Sequence, residues 1–511
     1  MPQPVAVSRR QFLMTASAAA AATAIGCGTR APKTPPAASP AELLELSAID
    51  AVARLTRGDL TAEQYASALL AQCERGKSLN AFITLEPAIV LEAARAADHL
   101  RSSGAKLGPL HGLPIPIKDS VNTKHFPTTA GTPALRNSRP TEDAPIVRTL
   151  VDAGAIILGK TNLHELSFGW TSNNLAFGAV HNPYDANRIP GGSSGGTAVA
   201  VATHMAPLGV AEDTEGSIRV PAAMCGIAGF RPTTTRYPST GVAPISPLFD
   251  QVGPHARSVA DLALFDSVVT GDWTPLRPAP LKGVKFGVAR GYWFRGLDPE
   301  VERIATEALR KLQDAGAELV EAEVPELAHL IELATEPIQN HDVRSALKKY
   351  LEDSRAGVTF DELVAQASTD IKRDFALAVL PGGKFFVSDS AYQTARDVHL
   401  PKLRENFRAY FARTGVAAII FPATMVPPPL IGQDVDVLID GKNVPFETAV
   451  ARNIAPGSTA GLPGLVLPAG LTSTGLPIAL ELDGPSGTDR ALLSLGSAVE
   501  SILGHLPAPK L

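Results

Sequence analysis

Short apolar runs, each closed off by Gly or Pro, recur along the chain: "PLHGLPIPIKDSV" at 109–121, "GAIILGKTN" at 154–162, "GVKFGVARG" at 283–291, "VAAIIFPAT" at 416–424 and "PGLVLPAG" at 463–470. Runs that are apolar at both alternating sets of positions suit strands covered on both faces. Between them lie stretches with apolar residues at helical spacing, among them "APIVRTLVDAG" at 144–154, "PEVERIATEALRKLQDAG" at 299–316 and "TDRALLSLGSAVESIL" at 488–503. The segment 41–75 has the same periodicity, and Thr61 ahead of Ala62-Glu63-Gln64 predicts a helix start. Strand–helix alternation over this length predicts a large α/β sandwich, one continuous domain over 41–511. Residues 325–413 are more helical and charged, which predicts a cap or insertion over the site.

One stretch fits neither period. "IPGGSSGGTAVAVA" at 189–202 drives two serines and four glycines straight into an Ala/Val run. A linker would not lead directly into a core element.

The N-terminus follows a different rule again. "SRRQFLMTASAAAAATAIGCG" sets Arg9 and Arg10 before an apolar stretch from Phe12 to about Ile25, too short to span a bilayer as an ordinary helix. The pattern resembles a twin-arginine export signal over 1–27, and "AIGC" at 24–27 resembles a lipobox ending at Cys27. The expectation is an exported protein, in the periplasm or at the cell surface, touching the membrane only through a lipid on Cys27. Residues 28–40 are Pro/Ala-rich and read as a tether.

Composition narrows the function. With 511 residues, 45% apolar and 19% charged, the chain can bury one large core or two ordinary ones. A net charge of −5 without a Lys/Arg cluster argues against a nucleic-acid partner. Cys27, Cys73 and Cys225 are too few for a disulfide framework and lack metal-ligand spacing, so neither metal nor cofactor is expected.

The candidate chemistry sits in three places: Lys118 at the end of an apolar run, Ser193 and Ser194 in the Gly/Ser loop, and Ser217 in "AEDTEGSIRVPAAMCG" at 211–226. A phosphate-binding loop would need a Lys after its last Gly, and none follows Gly195 or Gly196. Gly191-x-Ser193-x-Gly195 satisfies the hydrolase elbow, but that elbow follows a strand and here "NPYDANRIP" precedes it. Ser345-Ala-Leu-Lys348 matches a Ser–Lys pattern within a charged helical stretch and reads as chance; His111 could be a base by position, but a structural role fits it better. A serine hydroxyl needs a base, and lysine serves only when neutral, well below its ordinary pKa of about 10.4. Burial at the end of the "PIPIK" run supplies that pressure. Consecutive N–H groups of Thr214, Glu215, Gly216 and Ser217, turning into a helix start, can receive an amide oxyanion.

These residues in this order resemble the amidase signature family. The match runs through "GLPIPIKDS", "GKTNLHELSFG", the Gly/Ser loop, "EDTEGSIRVPAAMCGIAGFRPT" and "GLPGLVLPAG", from about residue 41 to the C-terminus. The resemblance implies an α/β/α sandwich whose large mixed sheet carries helices on both faces. It also implies a cis peptide between Gly192 and Ser193, with Ser217 as nucleophile, Ser193 as proton relay and Lys118 as base. Ser194, Asp213 and Arg219 match positions that hold the serine loop.

Within the family the chain is more similar to the mandelamide and indoleacetamide hydrolases. That similarity implies hydrolysis of a small aryl-acetic primary amide to acid and ammonia through an acyl-enzyme. An exported peptide amidase acting on C-terminal amides, and a degenerate binding protein on the same scaffold, remain alternatives. The oligomeric state is open, a homodimer included. Most relatives carry Gly where this chain has Glu215. Its side chain is expected either to turn away toward Arg219 or another cation, or to line the substrate pocket and meet the amine side of the substrate.

Overall fold

The computed structural model describes residues 39–278 and 280–511. The expected export signal, Cys27 and nearly all of the tether lie outside these residues. Ser39 and Pro40, read as tether, instead begin folded structure: Ser39 caps a short helix, Pro40–Leu44, in a capping box with Glu42.

Eleven strands form one mixed sheet: β1 (Phe82–Thr84), β2 (Pro114–Lys118), β3 (Ile156–Thr161), β4 (Leu208–Asp213), β5 (Ala228–Arg231), β6 (Gln251–Ala256), β7 (Lys285–Val288), β8 (Glu318–Glu321), β9 (Ala418–Pro422), β10 (Gly464–Leu471) and β11 (Pro477–Asp483). Their order across the sheet is β1-β3-β2-β4-β6-β5-β10-β11-β9-β7-β8. β2 runs parallel to β3 and β4, and β9 to β7, while β4 to β6 and β10 to β11 are antiparallel. Every residue of β2, β4, β6 and β11 is buried. Successive side chains point to opposite faces, so both faces of the sheet centre are covered, and the α/β sandwich expected from the apolar runs is what forms. The edge strands β1 and β8 are only partly buried.

The principal helices are α1 (Ala62–Arg75), α2 (Pro145–Asp152), α3 (Gly195–Ala202), α4 (Arg219–Cys225), α5 (Val259–Thr270), α6 (Pro299–Asp314), α7 (Leu327–Asp353), α8 (Leu400–Thr414), α9 (Phe446–Ala451) and α10 (Asp489–Leu503). Thr61 caps α1, accepting from Gln64 N while the Gln64 side chain reaches back. α3 and α4 are buried on every side, and the polar residues they carry, Thr197 and Arg219, are hydrogen-bonded inside. One continuous apolar core runs from Leu43 to Val499, and a second cluster joins Ile245 and Leu166 to Val343, Leu347 and Phe375. Between residues 327 and 414 the chain is a succession of helices with no strand. Its α7 and the helix Thr369–Asp374 border the cavity described next.

Candidate active site

The C-terminal ends of β2 and β4 deliver the first functional groups. Ile117 pairs with Val210 in the parallel β2–β4 ladder, so Lys118 and Glu212, just beyond, emerge side by side. Lys118 is 0% exposed, and its Nζ lies 2.6 Å from both Glu212 Oε2 and Ser193 Oγ. Burial pushes the Lys118 pKa down, and the Glu212 carboxylate opposes that shift. Glu212 Oε2 also accepts from Ser167 Oγ at 3.1 Å and Ser120 Oγ at 3.3 Å. Glu212 went unnoticed in the sequence although it sits one residue before Asp213; only strand pairing reveals what it faces.

The Gly/Ser loop leads into α3 from a segment without a strand, which disposes of the hydrolase elbow. The Gly192–Ser193 peptide is cis. Gly191 has φ +79°, and a Cβ on it would lie 2.9 Å from Pro221 Cα. Added carbons on Gly192 and Gly196 would strike the backbone of Trp170 and of Asn162. The glycines are therefore there for close approach, and the loop is packed, not flexible. Ser172 Oγ ties it down, lying 2.9 Å from Gly191 O and accepting from Gly195 N at 3.0 Å. Ser194 bridges the loop to its neighbours: its Oγ donates to Glu212 O at 3.0 Å, and its N–H to Ser217 O at 3.3 Å.

Asp213 organises the turn after β4. It accepts from Gly216 N at 2.7 Å and Ile218 N at 3.0 Å, and Arg219 meets it through Nε at 3.0 Å and Nη2 at 3.1 Å. Burial would raise the Asp213 pKa, but Arg219 and Arg231 outweigh it and hold the carboxyl at about 2. Arg219 in turn meets Glu481 Oε1 at 2.6 Å. Two expectations are corrected here. The Gly216 N–H is engaged by Asp213, which takes it out of the expected set of oxyanion donors. Arg219 is committed to Asp213 and Glu481, so Glu215 does not pair with it. Instead Glu215 Oε2 accepts from Gln339 Nε2 of α7 at 2.8 Å, and its carbonyl accepts from Trp170 Nε1 at 2.9 Å.

Ser217 and Glu215 open into a cavity of about 520 Å³. Phe168, Trp170 and Phe446 give it aromatic walls, while Glu336, Gln339 and Asp374 come from the helical region 327–414. Ser217 is 4% exposed, and its Oγ is hydrogen-bonded to no protein group among the described residues. Lys118 and Ser193 are thus in contact, and Ser217 is joined to their loop through its carbonyl. His164, overlooked in the sequence, lines the same cavity with Nδ1 3.0 Å from Thr171 Oγ1. His111 is buried away from the cavity and packs on Gly154, a structural position. Ser345 and Lys348 lie on α7, with Ser345 Oγ bonded to Asp342 O.

The profile of the protein family described as Amidase matches residues 64–493. The chain is 39% identical over 456 residues to the indoleacetamide hydrolase of Agrobacterium vitis, covering 89% of this chain and 97% of that protein. It is 38% identical over 487 residues to the mandelamide hydrolase of Pseudomonas putida, covering 92% and 94%. A crystal structure of an amidase superposes with a TM-score of 0.80 at 29% identity, over 90% of this chain and all of that one.

Proposed function

Because the chain belongs to the amidase family and is thereby a hydrolase of amide C–N bonds, we propose that its substrates are small aryl-acetic primary amides, cleaved to acid and ammonia through an acyl-enzyme. Ser217 Oγ attacks the carbonyl carbon. Its proton passes to Ser193 Oγ as the Ser193 proton moves to Lys118 Nζ. The oxyanion meets backbone N–H groups of Thr214, Glu215 and Ser217. As the C–N bond breaks, the same relay returns a proton to nitrogen and ammonia leaves. Water then repeats the sequence on the ester, releasing the acid and restoring the Ser217 hydroxyl.

The observation that carries this reading is the 2.6 Å contact between Lys118 Nζ and Ser193 Oγ, in a fully buried setting beside the cavity that Ser217 lines. Burial favours the neutral amine that a base requires. Two similar proteins named for small aryl amides, together with aromatic cavity walls, favour such substrates over peptide amides or a degenerate binder. The test is ammonia release by the purified chain from indole-3-acetamide, mandelamide, phenylacetamide and a dipeptide amide. Aryl amides should be the better substrates, and Ser217→Ala should release none. Turnover confined to the peptide amide, or full activity in Ser217→Ala, would overturn the reading.

Export through the twin-arginine route, with Arg9 and Arg10 as the recognised pair and Cys27 as the lipid acceptor, belongs to the same proposal and rests on the sequence pattern.

A further inference from the structure

We propose that the cavity selects primary amides whose acyl part carries a protonated amine as well as an aromatic ring, with the Glu215 carboxylate receiving the ammonium group. This rests on the amide-hydrolase reading of the same site and names its substrate class. Of the six carboxyl groups that line the cavity, three come from separate elements, Glu215 from the turn after β4, Glu336 from α7 and Glu447 from the first turn of α9; Asp370, Asp374 and Asp434 are the others. Among the described residues Arg373 is the one Lys or Arg lining the cavity, and it is bonded to Asp374 at 2.9 Å. Glu215 itself meets an amide, Gln339, where a cation would be expected.

The arrangement is electrostatically incomplete. Burial, with Glu336, Glu447 and Asp213 adding to it, pushes Glu215 up to about 8. Glu336 is raised by burial and by Glu332, and Glu447 by burial, Glu336 and Asp374. Like charges that burial has stripped of water are relieved together by one incoming cation. The other groups around Glu215 do not supply it. Asp213 is already held by Arg219, the Tyr292 hydroxyl donates to Arg452 O, Asp370 and Asp434 are themselves acidic, and burial pushes His164 toward its neutral form. That the cavity binds a ligand at all is indicated independently by Ser217, buried with an unbonded hydroxyl and open to it.

The carboxyls do not converge as metal ligands: among the described residues no group of three or more His, Cys, Asp or Glu side chains could hold an ion. An organic ammonium needs no fixed coordination shell, so it tolerates this looser spacing. Phe168, Trp170 and Phe446 take the ring. Since a primary amide loses only ammonia, the charge has to reside on the acyl part. Ionising Glu215 on binding releases a proton at any pH below its own value. Affinity for a cationic amide therefore climbs as pH rises toward 8, and affinity for a neutral one does not.

The test is calorimetric titration of the full chain carrying Ser217→Ala, which keeps the amides intact. The ligands are 4-(aminomethyl)phenylacetamide, phenylacetamide and 4-carboxyphenylacetamide, at about pH 6.5 and about pH 8.5. The cationic amide should bind at least roughly tenfold tighter than the neutral one at the higher pH, with the anionic amide weakest, and its binding should release a proton at the lower pH. The preference should shrink at the lower pH and be largely lost on adding Glu215→Gln. Equal binding of cationic and neutral amides by the Ser217→Ala protein overturns the proposal even if Glu215→Gln does not fold; so does a preference that survives Glu215→Gln. Ammonia release from phenylacetamide by the unmodified chain is scored separately. Charge selection without hydrolysis would sink the hydrolase reading alone, and hydrolysis without charge selection would sink this inference alone.

Discussion

Lys118 is held between two partners that pull it in opposite directions. Ser193 needs it neutral, while the Glu212 carboxylate favours its charged form. Replacing Glu212 by Gln removes the charge and keeps a polar group near Nζ, so the Lys118 pKa falls further. The rising limb of the pH–rate profile should then move to lower pH, as initial rates on a good aryl amide would record. Glu212→Ala also removes the charge, but leaves Lys118 Nζ, Ser120 Oγ and Ser167 Oγ without their buried acceptor, and should cost about 1–3 kcal/mol of stability in urea titrations. Lys118→Ala and Ser193→Ala should each lower turnover by roughly a thousandfold or more, because members of a relay fail as a unit. Asp250 gives a stability test. It accepts from Thr214 Oγ1 at 2.6 Å and from the N–H groups of Ile245 and Ser246, and burial raises it from 3.8 to about 7. A carboxyl with a raised pKa stabilises the fold fully below its ordinary value and loses that contribution as pH rises through 7. The melting temperature of the protein relative to Asp250→Asn should therefore drop between about pH 5 and about pH 8.

At the level of elements, the Gly/Ser loop is fixed by contacts on both sides. Gly191 must keep φ +79° and lie against Pro221 at the third position of α4. Gly191→Ala meets both obstacles and should cost about 2 kcal/mol or more, by strain and by overpacking. Because the loop carries Ser193, activity should fall more steeply than the denaturation midpoint, measured on the same preparation. The helical elements of 327–414 act on the site by a different route. α7 brings Gln339 to the Glu215 carboxyl and Glu336 to the cavity, so a helix with no relay residue shapes what the site admits.

On the scale of the whole molecule, the turn after β4 on one side and the helical region on the other border the cavity that Ser217 lines. The N-terminal pattern concerns where that machine works. A reporter fused to residues 1–35 should leave the cytoplasm, and Arg9→Lys with Arg10→Lys should block it without altering hydrophobicity. Fractionation of cells expressing both fusions reads the outcome; undiminished export of the double variant would point to the general secretory route.

Local pattern was enough for the α/β class, the strands ending at Lys118 and Pro422, the cap at Thr61 and the three stretches holding Lys118, Ser193 and Ser217. Period-two burial, helical spacing and turn chemistry act over a few residues, and motif order survives in one dimension. What faces what does not. Glu212 against Lys118 depends on the β2–β4 register, and Gln339 against Glu215 spans 124 positions. The same holds for the loss of Gly216 N–H to Asp213 and for the commitment of Arg219 to Glu481. A charged side chain carries no mark of its partner in its own neighbourhood of sequence. Only packing, by stripping water from it, decides which opposite group or neutral amide completes it.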